Sequence, residues 1–278
     1  MTSIAQNLRA VINTLPGDSS RVDAELLLAH ALGKPRVWLY AHADEALPAV
    51  AAKQFALLIK RRLKGEPIAY LLGFRDFWKM QLEVTADTLI PRPETELLVQ
   101  LAITWLPQDR PVRVLDLGAG SGAIALAIVS ERPLVQMTAC DSSAAALTVA
   151  QHNAQRLGLN QCVWLRSDWY SELQGQRFDL IVSNPPYIAE NDPHLGEGDL
   201  RFEPRAALAS GRDGLDAIRV IVGQAQEHLL PGGRLLIEHG FEQGTAVREL
   251  FQAAGLADVR TVRDLEDRER VTCARKMP

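Results

Sequence analysis

Apolar residues recur at three- and four-residue spacing over residues 4–15, 21–32 and 47–64, which predicts three amphipathic helices. Asp23 stands where a cap for the second would fall, and Lys34-Pro35 interrupts it. The third closes on Lys60-Arg61-Arg62-Leu63-Lys64-Gly65, with cations in its last turn and a glycine at its stop. Over 74–90 the period shortens: Phe77, Met80, Leu82 and Val84 partly alternate with polar residues, as a short β connector would. A helix is expected from about Thr95 to Leu106. Beyond Pro107 and Pro111, apolar runs alternate with helical segments: VRVLDL, AIALAIVS, VQMTACD, AAALTVAQHNAQRLG, CVWLRS and FDLIVS. A long loop follows, then a helix near 214–230, GRLLIEH, a helix near 244–254, DVRTVRD and RVTCARK.

Strands alternating with helices predict an α/β protein with a seven-stranded, mostly parallel sheet covered on both faces. The charged stretch LEDRER is too short for a crossover helix, so the last strand should run antiparallel. The expected organisation is a small helical N-terminal domain over 1–73, a β connector and linking helix over 74–106, and an α/β domain over 107–278. Charge divides the chain in the same way. Residues 1–75 carry ten Lys/Arg against six Asp/Glu, a net +4, whereas the remainder carries 20 against 28, a net −8. An acidic α/β part argues against a DNA-binding protein. No apolar run approaches the length of a membrane span, and the first residues lack a secretory leader pattern. Cys140, Cys162 and Cys273 are far apart and show no zinc spacing. Reduced thiols, a cytoplasmic location, no metal and no membrane are therefore expected.

The segment VRVLDLGAGSGAIALAI reads as strand, turn and helix. Gly118, Gly120 and Gly122 allow a tight turn and close backbone approach to a ligand, whose charge the helix start would face. Asp141 follows at the end of the next strand, where a carboxylate can accept from both hydroxyls of a ribose. The third strand ends on Ser167-Asp168-Trp169, an acceptor and an aromatic suited to an adenine, although Trp169 would equally serve core packing. GAGSGA also fits the dinucleotide fingerprint, so the turn by itself leaves an NAD(P) oxidoreductase open.

The fourth strand runs into VSNPPYIAE. Asn184 ends it, so it should share a crevice with the glycine turn at the carboxyl edge of the sheet. The corner suits a planar nitrogen nucleophile. The Asn184 side-chain oxygen and the Pro185 carbonyl would accept its N–H bonds, Pro185 and Pro186 stiffen the backbone, and Tyr187 offers a flat stacking face. No tuned base is needed; positioning and electrostatics do the work. A dehydrogenase has no use for such a corner. A DNA adenine methyltransferase would use it on a flipped base, but would need a basic cleft.

In this combination the chain resembles class I S-adenosylmethionine-dependent N-methyltransferases of Rossmann-like fold. Within them it resembles the PrmC/HemK family, glutamine-N5 methyltransferases of peptide chain release factors. The likeness runs through GEPIAYLLGFRDFW, LIPRPETELLV, DLGAGSGAIALAI, SNPPYI and RFEPRAAL. It implies that Gly118, Ala119, Gly120, Ser121 and Gly122 hold the methionine part of S-adenosyl-L-methionine. Asp141 would take its ribose, Asp168 and Trp169 its adenine, and S-adenosyl-L-homocysteine would be the product. Asn184, Pro185, Pro186 and Tyr187 would hold the glutamine of a Gly-Gly-Gln motif in class I release factors. Arg92, Pro93 and Glu203 would shape the mouth around that loop. Glu94 and Glu96 read equally well as first-turn helix acids. A monomer is expected, and the basic run at 60–64 could meet protein, RNA or only water.

Overall fold

A computed structural model describes residues 2–15, 17 and 19–278. The chain divides into two compact units, residues 1–74 and 75–278. The β connector and the helix after it fall in the second unit.

The first unit contains α1 (Ile4–Ile12), α2 (Ser20–Leu32), α3 (Trp38–Ala41), α4 (Ala49–Arg62) and α5 (Ile68–Leu72). Ser3 and Gln6 form a capping box on α1. Asp23 is not a cap. It sits one turn inside α2, where its N–H already bonds the Ser19 carbonyl. Its buried carboxylate instead receives Arg62 from the end of α4 at 2.9 Å. The apolar stripes of α1, α2 and α4 meet in one core that includes Ile4, Leu27, Leu28, Phe55 and Leu58.

The second unit begins with a hairpin, β1 (Phe74–Phe77) and β2 (Met80–Glu83), turned through Trp78 at φ 55°. A 3-10 turn over Pro93–Thr95 leads into α6 (Glu96–Trp105). Then come β3 (Val112–Leu117), α7 (Ala123–Glu131), β4 (Val135–Asp141), α8 (Ala144–Leu157), β5 (Val163–Arg166) and β6 (Phe178–Ser183). A long loop with three 3-10 turns precedes α9 (Asp216–His228), β7 (Leu229–Glu238), α10 (Gly244–Ala253), β8 (Ala257–Arg263) and β9 (Glu269–Arg275).

The sheet order is β5-β4-β3-β6-β7-β9-β8. β3, β4, β5, β6 and β7 are parallel, and β9 runs antiparallel to both neighbours, inserted between β7 and the edge strand β8. Both faces are covered. Val114, Leu180, Val182 and Leu236 point into the layer of α6 and α7, while Leu117, Ile181, Leu235 and Ile237 point into that of α9 and α10. This double burial explains why these strands read as mainly apolar runs and not as strict alternation. β7 starts four residues before GRLLIEH, because a register shift against β6 carries it through Pro231-Gly232-Gly233. A Cβ at Gly233 would sit 2.9 Å from the Phe178 carbonyl oxygen. No helix among the described residues is long and apolar enough to cross a membrane.

Candidate active site

The turn after β3 is built from three left-handed glycines, Gly118, Gly120 and Gly122, at φ 78°, 54° and 84°. Gly122 is there for packing: a Cβ would lie 2.9 Å from the Trp164 ring and 3.2 Å from the Ala150 methyl. Asp141, paired at the end of β4, secures the turn. One of its carboxylate oxygens accepts the Gly120 N–H and the other the Ser143 N–H, each at 2.9 Å. The fully buried Asn153 of α8 donates to the Ser121 carbonyl and exchanges two hydrogen bonds with the Glu83 backbone, tying turn, helix and hairpin together. Beside the turn stands Trp169 at φ 49°, its ring partly buried against the core.

A cavity of about 280 Å³ opens here, lined by Gly118, Gly120, Asp141, Asp168 and Trp169, with Asp87, Thr88 and Asn184 on its other walls. Ala119, Ser121 and Gly122 lie behind the turn and do not line it. The lining carries three carboxylates, Asp87, Asp141 and Asp168, and among the described residues no Lys, Arg or His. Next to it is a narrow cavity of about 60 Å³, lined by Arg92, Asn184, Pro185, Pro186, Tyr187 and Leu200, among others. Leu89, Asn184, Pro186 and Ala207 line both. Of these four, Asn184 alone has a side chain that can make hydrogen bonds.

Asn184 follows directly on β6. Its Nδ2 donates to the Thr95 hydroxyl at 3.1 Å, and the residue lines both cavities. The Tyr187 hydroxyl donates to Glu238 Oε1 at 3.4 Å, and the Tyr187 carbonyl accepts from Gln243 at 2.9 Å. Glu238 is fully buried, and burial pushes its carboxyl up to about 7, against the pull of Thr95, Arg270 and Tyr187. Burial, and then Glu238, also raise the Tyr187 phenol.

Glu203 does not face either cavity. Its side chain is buried, one oxygen accepting the Ile90 N–H at 2.9 Å and the other pairing with Arg92. A carboxylate without a partner could not stay at such depth, so Glu203 holds Arg92 against the narrow cavity instead of contacting what enters it. Pro93 and Glu94 are exposed in the 3-10 turn, and Glu96 accepts the Trp78 N–H at 2.8 Å. Of the basic run, Arg62 turns inward to Asp23, Arg61 pairs with Glu66, and Lys60 is exposed.

Thr95, Asn153, Asp116 and Glu238 were not apparent as site residues from sequence. Asp116 and Glu238 did leave a trace: each is an acid among the buried apolar residues at the carboxyl end of its strand, Leu115 and Leu117 for one and Leu235, Leu236 and Ile237 for the other. Asp116 accepts from the Ala125 N–H with one oxygen while the other lacks a partner among the described residues, and burial raises it to about 7.

Strand order, glycine turn and strand-end Asn-Pro-Pro-Tyr together define a class I, Rossmann-like methyltransferase fold. Two family models agree: the PrmC N-terminal domain matches residues 6–73 and the methyltransferase small domain residues 94–197. A release factor glutamine methyltransferase of Xylella fastidiosa is 56% identical over 92% of this chain and 93% of its own. That of Escherichia coli is 49% identical over 96% and 97%. A 16S rRNA N2 methyltransferase of T. thermophilus, solved with AdoMet and guanosine, shares the fold. Its TM-score is 0.53 at 20% identity, over 73% of this chain and 49% of that one. The chain belongs to the release factor glutamine methyltransferase family.

Proposed function

We propose that this protein transfers a methyl group from S-adenosyl-L-methionine to the side-chain amide nitrogen N5 of the glutamine in the Gly-Gly-Gln motif of class I release factors. The observation that carries the reading is that Asn184 is the hydrogen-bonding side chain common to two adjoining cavities. The larger suits the cofactor. Its three carboxylates complement a sulfonium and an ammonium, and would repel the pyrophosphate of a dinucleotide. Gly118 and Gly120 let backbone approach the ligand, Asp141 faces the ribose, and Asp168 and Trp169 flank the adenine. The bound cofactor supplies an electrophilic methyl.

The narrow cavity takes the glutamine side chain. Its amide nitrogen is a weak nucleophile because its lone pair is shared with the carbonyl. Asn184 Oδ1 and the Pro185 carbonyl accept its two N–H bonds, Tyr187 and Pro186 confine its plane, and Arg92, held by Glu203, borders the entrance. Those acceptors aim the lone pair at the methyl before the reaction begins, so the contribution is positioning and preorganised polarity. A loop of three residues offers little area, so the helical unit supplies docking to a part of the factor away from the glutamine.

Single-turnover methyl transfer by Asn184→Leu tests this reading. Losing one preorganised polar partner is expected to lower turnover by roughly 10²–10³, with cofactor affinity kept within a few-fold. Turnover close to the parent's would reject the acceptor role.

A further inference from the structure

Residues 84–90 belong to no strand or helix, yet Ala86, Asp87, Thr88 and Leu89 line the larger cavity together with Gly118 and Gly120. Leu89 lines the narrow cavity as well. A strap of this kind has no ladder to hold it. Val84, Thr88 and Ile90 are buried and keep it on the unit, and the Thr88 N–H closes a turn on the Thr85 carbonyl at 3.0 Å. Apolar contact is non-directional, so burial alone does not fix where the strap stands. Buried polar side chains from distant elements do that at its two ends. At the far end Glu203 accepts the Ile90 N–H at 2.9 Å. At the near end Asn153 of α8 takes both backbone groups of Glu83: Oδ1 accepts the N–H at 2.7 Å and Nδ2 donates to the carbonyl at 3.0 Å. The second proton of the same Nδ2 goes to the Ser121 carbonyl of the glycine turn, also at 3.0 Å. Asn153 is fully buried. Only a carboxamide can pair with both backbone groups of one residue and still donate to a third group; a carboxylate there would set an oxygen against two carbonyls.

We propose that Asn153 is a positioning residue for the cofactor: one side chain sets the spacing between the glycine turn and the strap, two walls of the cavity, before the cofactor arrives. The inference rests on the reading of that cavity as the S-adenosyl-L-methionine site, and adds to it a residue that lines neither cavity. Without the carboxamide the strap is free to leave its place beside the turn, and only a fraction of the molecules is ready to bind. Apparent affinity falls by that fraction. A bound cofactor then gathers the strap itself, so the saturated enzyme works nearly as the parent does. This signature differs from that of Asn184, whose loss lowers turnover and spares affinity.

The test measures backbone amide exchange in the cofactor-free protein, S-adenosyl-L-methionine affinity by calorimetry, and steady-state methyl transfer to a folded release factor. In the parent, the Glu83 amide is expected to exchange as slowly as those inside α8. Asn153→Ser removes the carboxamide and leaves room for water; Asn153→Asp keeps the acceptor and loses the donor. Each should bind the cofactor about tenfold more weakly, the weight of one lost hydrogen bond, with KM for the cofactor raised to match and kcat within a few-fold of the parent's. Exchange over 84–90 should quicken in the free variants and slow again when the cofactor is added. Parental affinity and KM in a folded variant, with only the melting temperature lowered, overturn the proposal. So does a Glu83 amide that exchanges in the parent as fast as an exposed loop, a result that needs no variant to fold. If the parent itself fails to bind S-adenosyl-L-methionine, the reading of the cavity is wrong; if it binds and both variants bind as tightly, the positioning role alone is wrong.

Discussion

Asp141 accepts the Gly120 N–H at 2.9 Å, so one carboxylate fastens the glycine turn and also faces the cavity that the turn forms. Its loss should act on both. Asp141→Ala is expected to weaken S-adenosyl-L-methionine binding by ~1–3 kcal/mol in calorimetry. Asp141→Asn, which keeps one acceptor oxygen, should lose less. Unchanged affinity in Asp141→Ala would place the ribose elsewhere.

Two of the turn glycines, Gly122 and Gly120, should separate by role. At Gly122 a methyl meets Trp164, Leu126 and Ala150, all within 3.2 Å, on a left-handed backbone. Gly122→Ala is expected to destabilise the fold by about 1–3 kcal/mol, read as a lowered melting temperature without ligand. At Gly120 nothing lies within 4 Å, and the new methyl would project into open space beside the cavity. Gly120→Ala should therefore cost only about 1 kcal/mol of stability and show its main effect in cofactor affinity.

Asp116 gives a pH signature. Burial lifts its carboxyl to about 7, so the folded chain keeps a proton that the unfolded chain gives up at lower pH. The stability this proton contributes is complete below the unfolded value and is lost as pH rises through about 7. Asp116→Asn cannot ionise. Its stability relative to the parent should improve between about pH 5 and about pH 8, by roughly 1.4 kcal/mol for each pH unit crossed below about 7. Denaturant melts at the two pH values measure this; a constant difference would contradict it.

Much of the fold was legible because β3 and β6, buried on both faces, read as mainly apolar runs that end in glycine or Asn-Pro chemistry. The helices α3 and α5, of four and five residues, are too short to show a period. Asp23 was misread because its sequence position suits a cap, whereas its partner, Arg62, lies 39 residues away. The site divided in the same manner. Local motifs pointed to Gly118, Asp141 and Asn184, but Thr95 is 89 residues from Asn184, and Asn153 is 70 from Glu83. Spacing along the chain carries no trace of such bonds. Glu203 was assigned to the mouth from its motif alone, and only burial shows that its carboxylate faces inward.

If the helical unit docks the release factor as proposed, the exposed side of α4 is the face to test. Val50 and Leu57 are 80% and 65% exposed, and Lys53 and Lys60 share their side of the helix. Leu57→Glu or a Lys53→Glu/Lys60→Glu pair is expected to slow association with a folded release factor and leave cofactor affinity unchanged. Arg62→Glu should instead destabilise the unit, since it strands the buried Asp23. Stopped-flow association and thermal melts distinguish the two outcomes. A short Gly-Gly-Gln peptide as efficient as the whole factor would remove the docking role.

The most direct measurement is to incubate the protein with S-adenosyl-L-methionine and a folded class I release factor and locate the added mass by fragmentation. The account predicts a single methyl on the side-chain amide nitrogen of the Gly-Gly-Gln glutamine, formed roughly 10²–10³ times more slowly with Asn184→Leu. A methyl on lysine, on arginine or on nucleic acid, or a release factor left unmodified, would contradict it.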